Sequence, residues 1–195
     1  MFLQNLEKYT ITLASESPRR HHLLEEAGIP FTIGKGRDIP EKVPDNMHVE
    51  DVALYLARLK SNSWRDIWQA PGQLVITADT IVALDNQVLG KPGGPEDARR
   101  MLEKLSGRSH RVISGVVARN AQTEMAFTDI TTVHFKPLEP DHIRHYIDHY
   151  QPFDKAGAYG IQEWIGLTGI ERIEGCYFNV MGLPVPRLMD ELKIF

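Results

Sequence analysis

Apolar residues along this chain recur in two alternating rhythms. Short buried or alternating runs predict strands, and apolar positions three or four apart predict helices. Thr10 to Ala14 (TITLA) is the first strand-like run, followed by Ser15-Glu16-Ser17 and a helix from Pro18 to Ala27. Ser17 suits the N-cap, Pro18 the first helical position, and Gly28 sits where a C-cap is expected. Phe31 to Ile33 predicts a short second strand, and the polar stretch bearing Pro40, Glu41 and Pro44 reads as loop. Val49 to about Trp68 predicts one long amphipathic helix with Val52, Leu56, Leu59 and Ser63 near one face. Gln73 to Thr77 (QLVIT) is another buried strand, ending at Ala78-Asp79-Thr80. Ile81 to Leu84 and Val88-Leu89 would pair as a hairpin across Asp85-Asn86. Gly94-Pro95 opens a helix through Leu105 that stops near Gly107. Arg111 to Ala118 and Met125 to Phe135 read as long antiparallel strands around Arg119-Asn120. Pro140 to His149 is helical, Gly169 to Ile173 and Gly175 to Val180 are strand-like, and Pro184 to Leu192 is a closing helix.

This alternation predicts an α/β fold with a central sheet flanked by helices and a cleft between two lobes. At 195 residues and 42% hydrophobic content, one domain spanning 1–195 is expected. A net charge of -4 lacks the basic excess of a duplex-binding protein, so no nucleic-acid partner is expected. A small anionic ligand held by a few placed cations remains compatible with it. Cys176 is the sole cysteine, which excludes an intramolecular disulfide and fits a reducing cytosol. Met1 to Tyr9 contains Glu7 and Lys8 and no long apolar core, so no secretory signal is expected. No run approaches the ~20 apolar residues of a membrane helix. A cytoplasmic protein without membrane contact is the expectation.

Four segments carry candidate chemistry. Ser15-Glu16-Ser17-Pro18-Arg19-Arg20 joins a strand to a helix. Helix N-termini offer unpaired N–H groups and a positive dipole end, so an anion is welcome there. Two arginines are misplaced at such an end unless an anionic partner offsets them. Asp79 in Ala78-Asp79-Thr80 ends an apolar strand, where ligands of open α/β sheets bind, and its carboxylate suits a metal or a proton from water. Gly90-Lys91-Pro92 projects an amine from an extended backbone. Asp154-Lys155-Ala156-Gly157-Ala158-Tyr159-Gly160-Ile161-Gln162 combines small residues, a cation and an amide. Each segment alone has an ordinary reading as cap, turn or solvated loop. Together they supply the cations, hydroxyls and carboxylates that triphosphate cleavage requires, with Glu41 as a candidate second carboxylate. His142, His145 and His149 share a helix face, and a solvated surface accounts for them, and for His21-His22, better than a metal site.

Taken in order, Ser-x-Ser-Pro-Arg-Arg, Ala-Asp-Thr, Gly-Lys-Pro and Asp-Lys-Ala-Gly-Ala-Tyr-Gly-Ile-Gln resemble the Maf family of nucleotide pyrophosphatases from about Ile11 to Leu192. Gly175-Cys176-Tyr177-Phe178-Asn179-Val180-Met181-Gly182-Leu183-Pro184 is similar to that family's closing motif. The resemblance implies a Maf/ITPase-like domain with a mixed, twisted sheet. It implies hydrolysis of a nucleoside triphosphate to monophosphate and pyrophosphate, a divalent metal (Mg2+ or Mn2+) and a homodimer. It makes Asp79 the proton acceptor and places Glu41 among the polar positions lining the cleft; as the two candidate carboxylates, Asp79 and Glu41 are the expected metal ligands. Arg19, Thr80 and Gln162 fall on positions linked to substrate choice, and Ser15, Arg20, Lys60, Lys91 and Lys155 on other substrate-binding positions. The intact Ala-Tyr-Gly-Ile-Gln is similar to the branch acting on dTTP and UTP. Glu163-Trp164-Ile165 departs from the small residues common after that glutamine. Two alternatives stay open from the residues: a 7-methyl-GTP pyrophosphatase, and a non-catalytic nucleotide-binding regulator of cell division.

Overall fold

A computed structural model describes residues 4–195 of the chain, so the expectation for Met1 to Tyr9 lies partly outside the described residues. Strands β1 (Thr10–Leu13), β2 (Thr32–Ile33), β3 (Gln73–Leu84), β4 (Gln87–Leu89), β5 (Ser109–Arg119), β6 (Glu124–Phe135) and β7 (Ile170–Glu174) form one sheet. Its order is β2-β1-β3-β5-β6-β7, and β4 pairs with β3 off that path. β1 is parallel to β2 and β3, whereas β3 with β4 and β6 with β7 are antiparallel, so the sheet is mixed as expected. The helices are α1 (Pro18–Glu26), α2 (Val49–Ser63), α3 (Arg65–Trp68), α4 (Pro95–Leu105), α5 (Pro140–Tyr150), α6 (Trp164–Gly169), α7 (Tyr177–Met181) and α8 (Val185–Glu191). Among the described residues, no helix is long and apolar enough to cross a membrane.

The chain forms two compact units. The first comprises the chain up to Asp79, Ser114–Asp129 and Gly182–Phe195; the second comprises Thr80–Ile113 and Ile130–Met181. In the first, Leu13, Leu24, Ala57, Leu74 and Ile76 are fully buried. Gly115 of β5 makes this packing possible: a Cβ there would lie 2.3 Å from the Leu54 backbone, so only glycine lets α2 approach so closely. The Thr77 hydroxyl donates to Ala57 O at 2.9 Å and fastens α2 to β3. In the second unit, Val82, Leu102, Leu105, Phe135, Tyr146 and Ile165 belong to one buried cluster.

Four expectations are corrected. The predicted helix Val49 to Trp68 breaks at Trp64, whose φ of -100° and ψ of 19° are not helical. Side chains take up the carbonyls at the end of α2: the Trp68 indole binds Ser61 O at 2.9 Å, the Ser63 hydroxyl binds Lys60 O at 2.7 Å, and Arg37 binds Ser63 O. Second, the expected end of a strand at Ala78-Asp79-Thr80 is absent. β3 runs unbroken through these residues, because the Asp79 charge is met in place by Lys60 and the backbone need not turn out to water. Third, Gly175 to Val180 is not a strand. Thr131 Oγ1 accepts from Cys176 N at 3.0 Å and donates to Cys176 O at 3.1 Å, and buried Asn179 donates to Val112 O at 3.0 Å. Side chains thus take the pairing that a neighbouring strand would offer, and the segment coils into α7. Fourth, Ser17 precedes α1 without a side-chain cap bond; its carbonyl accepts from the Arg20 and His21 amides instead.

Candidate functional site

In the first unit, β1 delivers Ser15 to the mouth of α1. Ser15 is buried, and its hydroxyl oxygen accepts from Ser17 N and from Arg20 Nη1, each at 3.3 Å. Arg20 Nε donates to Gly182 O at 2.8 Å, fixing the guanidinium at both ends. Burial lowers the Arg20 pKa from its ordinary value; Asp79 opposes this, Arg19 adds to it, and Glu41 opposes it. An arginine stays charged through such a shift, so Arg20 is a held cation within the fields of Asp79 and Glu41. His21 was expected to be solvated. Its Nε2 instead lies 2.7 Å from Ser15 O, so a proton on that nitrogen steadies the turn.

The last turn of α2 points Lys60 at β3. Its ammonium donates to Asp79 Oδ1 and lies 3.2 Å from Glu41 Oε1. Asp79 is mostly buried, with 14% of its side chain exposed, whereas Glu41 is about half exposed at 47%. Five of the sequence-predicted residues, Ser15, Arg20, Glu41, Lys60 and Asp79, thereby form one polar cluster, with Arg19 beside Arg20 in the first turn of α1. Two carboxylates converging on a single ammonium form an oxygen-donor pair suited to a hard divalent cation, which commonly takes one or two carboxylates and completes its shell with water and phosphate. No group of three or more His, Cys, Asp or Glu side chains is gathered for a metal among the described residues. The two carboxylates are thus a partial oxygen-donor set, of the kind a hard cation completes with water and phosphate.

The second unit holds Thr80, Lys91, Lys155 and Gln162. Here two of the sequence motifs meet: Gly157 N donates to Gly90 O at 3.0 Å, tying the segment before Gln162 to the residue before exposed Lys91. Gly157 has φ of 69°, and a Cβ would meet Val82 at 3.0 Å, so any larger residue there would be strained on both counts. Ala158 holds a φ of 60°, a left-handed conformation that an L side chain adopts at a cost. Tyr159 is buried, with its hydroxyl 2.7 Å from His110 Nε2. Burial first, and then His134, pulls the His110 pKa down to about 4, so its ring is neutral near pH 7. Lys155 is almost buried and ion-paired with Asp154 at 2.8 Å and Glu163 at 3.1 Å, whereas Gln162 is exposed. His142, His145 and His149 are exposed, in keeping with a solvated helix face, and the rings of His142 and His145 lie with centroids 5.8 and 4.8 Å from that of Trp164.

Sequence patterns do not mark His110, Tyr146 or Glu163 as site residues. Tyr146 carried only the apolar periodicity of its helix, and the Glu163 departure from small residues was the one local signal.

A family model for Maf-like proteins matches residues 10–195. A dTTP/UTP pyrophosphatase of Phocaeicola vulgatus is 50% identical over 191 residues, covering 98% of each chain. Proteins of the same name are 47% identical over 191 residues in Bacteroides fragilis, covering 98% of each chain, and 47% over 193 residues in Cytophaga hutchinsonii, covering 99% of this chain and 87% of that one. Among solved structures, a HAM1 protein from Coxiella burnetii is similar over 65% of this chain and 73% of that one, at 14% identity and a TM-score of 0.40. The mixed sheet defines an α/β protein, in which the cluster around Asp79 gathers two cations, Arg20 and Lys60, with two carboxylates. The chain belongs to the Maf family.

Proposed function

We propose that the chain is a nucleoside-triphosphate pyrophosphatase that hydrolyses dTTP and UTP to the monophosphate and pyrophosphate. The observation that carries it is the Asp79 carboxylate, held on β3 by Lys60 within the field of Arg20, in a chain 47–50% identical to proteins named for that activity. In this reading Asp79 takes the proton of a water whose oxygen bonds to the α-phosphorus. The bridging bond to the β-phosphate breaks, and pyrophosphate leaves with its electron pair. Arg19, Arg20, the Ser15 hydroxyl and the α1 N-terminus bind phosphate oxygens, and Lys60 keeps the carboxylate aimed. Asp79 and Glu41 are the residues that would hold magnesium or manganese, which supplies charge neutralisation for the phosphates. Lys91 contributes a further cation, Thr80 and Gln162 read the pyrimidine edge, and Lys155 acts through its own ion pairs.

The chain is further proposed to be one functional domain, a cytoplasmic enzyme and a homodimer. Sedimentation at micromolar concentration tests the last, a monomer excluding it.

Pyrophosphate release from dTTP, UTP, CTP, GTP, 7-methyl-GTP and modified pyrimidine triphosphates, with magnesium or manganese, tests the activity. Turnover of dTTP and UTP is expected, lost in chelator and reduced by about 10³-fold or more in Asp79→Asn. Nucleotide binding without turnover in the wild type would leave a binding protein instead.

A further inference from the structure

The exposed amide of Gln162 is attached to a buried polar network. Next in sequence, Glu163 keeps only 18% of its side chain exposed, and its two oxygens have separate duties. Oε2 accepts the Tyr146 hydroxyl proton, and Oε1 lies 3.1 Å from Lys155 Nζ. The Tyr146 oxygen in turn accepts from Gly160 N at 3.0 Å. Tyr146 itself is fully buried on α5, a helix of eleven residues, so it is a rigid reference point. Lys155 and Glu163 are the two ends of the loop that carries Gln162, and their ion pair closes it. Gly160 is confined inside it: a Cβ there would come within 2.9 Å of Glu163 Cδ and 3.1 Å of Gln162 Nε2.

Burial is the main reason, and the Glu163 bond the next, that the Tyr146 phenol is raised far above its ordinary pKa. The tyrosine therefore stays a proton donor to the carboxylate at any working pH. A buried lysine needs a carboxylate partner. Asp154 supplies one that is mostly exposed, and Glu163 supplies the enclosed one.

We propose that Glu163, with Tyr146 and Lys155, is a positioning clamp that sets the Gln162 amide and so governs which nucleobase is accepted. The proposal rests on the reading of Gln162 as a base-reading residue given above. None of the three clamp residues is asked to touch the reacting atoms. Loosening the clamp lets the Gln162 amide wander from the geometry a paired hydrogen bond needs, which weakens base selection and leaves the hydrolytic step near its original rate.

The test uses the full chain and the variants Tyr146→Phe and Glu163→Gln, the first removing the two hydrogen bonds of the phenol, to Glu163 and from Gly160 N, and the second the charge. For each, KM and kcat are measured on dTTP and CTP, along with amide hydrogen exchange over residues 156–166. Misplacement of a binding group is expected to raise the dTTP KM by about tenfold and erode the preference over CTP similarly, with kcat within about threefold. Exchange in that segment is expected to rise while the α4 segment stays protected. Faster exchange or a lower Tm with KM and base preference unchanged would overturn the proposal, leaving the network merely structural. Should Glu163→Gln not fold, Tyr146→Phe alone decides by the same readouts. A wild type that turns over no nucleotide would refute the functional reading, and the base-selecting role of the clamp would fall with it. Unchanged exchange in Tyr146→Phe would refute the clamp independently of any activity.

Discussion

Lys60 stands between two carboxylates, and its charge decides what they do. With the ammonium in place, Asp79 and Glu41 share one counter-ion at a partly buried position. Without it, two like charges face each other there, and the carboxylate proposed as base loses its aim. Lys60→Met is expected to lower kcat/KM for dTTP by roughly 10²-fold, with the circular dichroism spectrum unchanged. A loss below about threefold would show that Asp79 needs no such partner. His110 gives a pH prediction. Its folded pKa is about 4 against an ordinary 6.5, so the unfolded chain binds the extra proton between those values. Stability from the neutral ring is therefore complete above about pH 6.5 and is lost as pH falls toward 4, on the order of 3 kcal/mol in all. His110→Gln retains an N–H for the Tyr159 oxygen but cannot titrate. Its stability is expected to fall less steeply than that of the wild type from pH 6.5 to 4, as read by urea unfolding. Parallel curves would show that His110 carries no such linkage.

At the scale of elements, Gly115 does for α2 what a larger residue cannot. A Cβ on β5 would press on the Leu54 and Ala53 backbone at 2.3–2.4 Å, and a backbone has no alternative rotamer. Gly115→Ala must displace the helix that carries Lys60, so a destabilisation of at least about 3 kcal/mol is expected, the upper end for overpacking. For a chain of this size that lowers Tm by roughly 10 °C. A Tm within about 2 °C of wild type would mean that α2 shifts freely. The same close approach shows what sequence reading reaches. Periodicity located most strands and helices, and Pro18, Gly28 and Gly107 marked ends that the structure retains. It misjudged segments where contacts from far along the chain take part: the break at Trp64, where Arg37 binds Ser63 O, and α7, where Thr131 binds the Cys176 backbone and Asn179 reaches Val112 O. None of these contacts has a local spacing to betray it. Polarity misled at Asp79, where an ion pair from another element keeps a charged residue inside a strand.

The whole molecule poses the same problem of distance. Residues 15, 20, 41, 60 and 79 cluster from four separate segments; local chemistry marked Ser15, Arg20, Glu41 and Asp79, and only the family resemblance reached Lys60. The clamp at Glu163 was out of reach, because it pairs a helix residue with a loop residue 17 positions on. Connectivity has a consequence for stability as well. The chain passes from one compact unit to the other after Asp79, Ile113, Asp129 and Met181, so neither unit is a continuous stretch. Strands β3, β5 and β6 each give part of their length to both units. Neither core can be completed without chain that runs on into the other, so unfolding is expected as a single calorimetric transition whose enthalpy equals the van't Hoff value. A ligand that binds only the folded state must then raise that one transition. In Asp79→Asn, which is expected to bind without turnover, dTTP at about 100 times its Kd adds about 2.7 kcal/mol, or roughly 5–10 °C. CTP is expected to add less, and Gln162→Ala to narrow the difference. Two transitions, with dTTP moving only one, would show that the units fold independently and that the chain is not one domain.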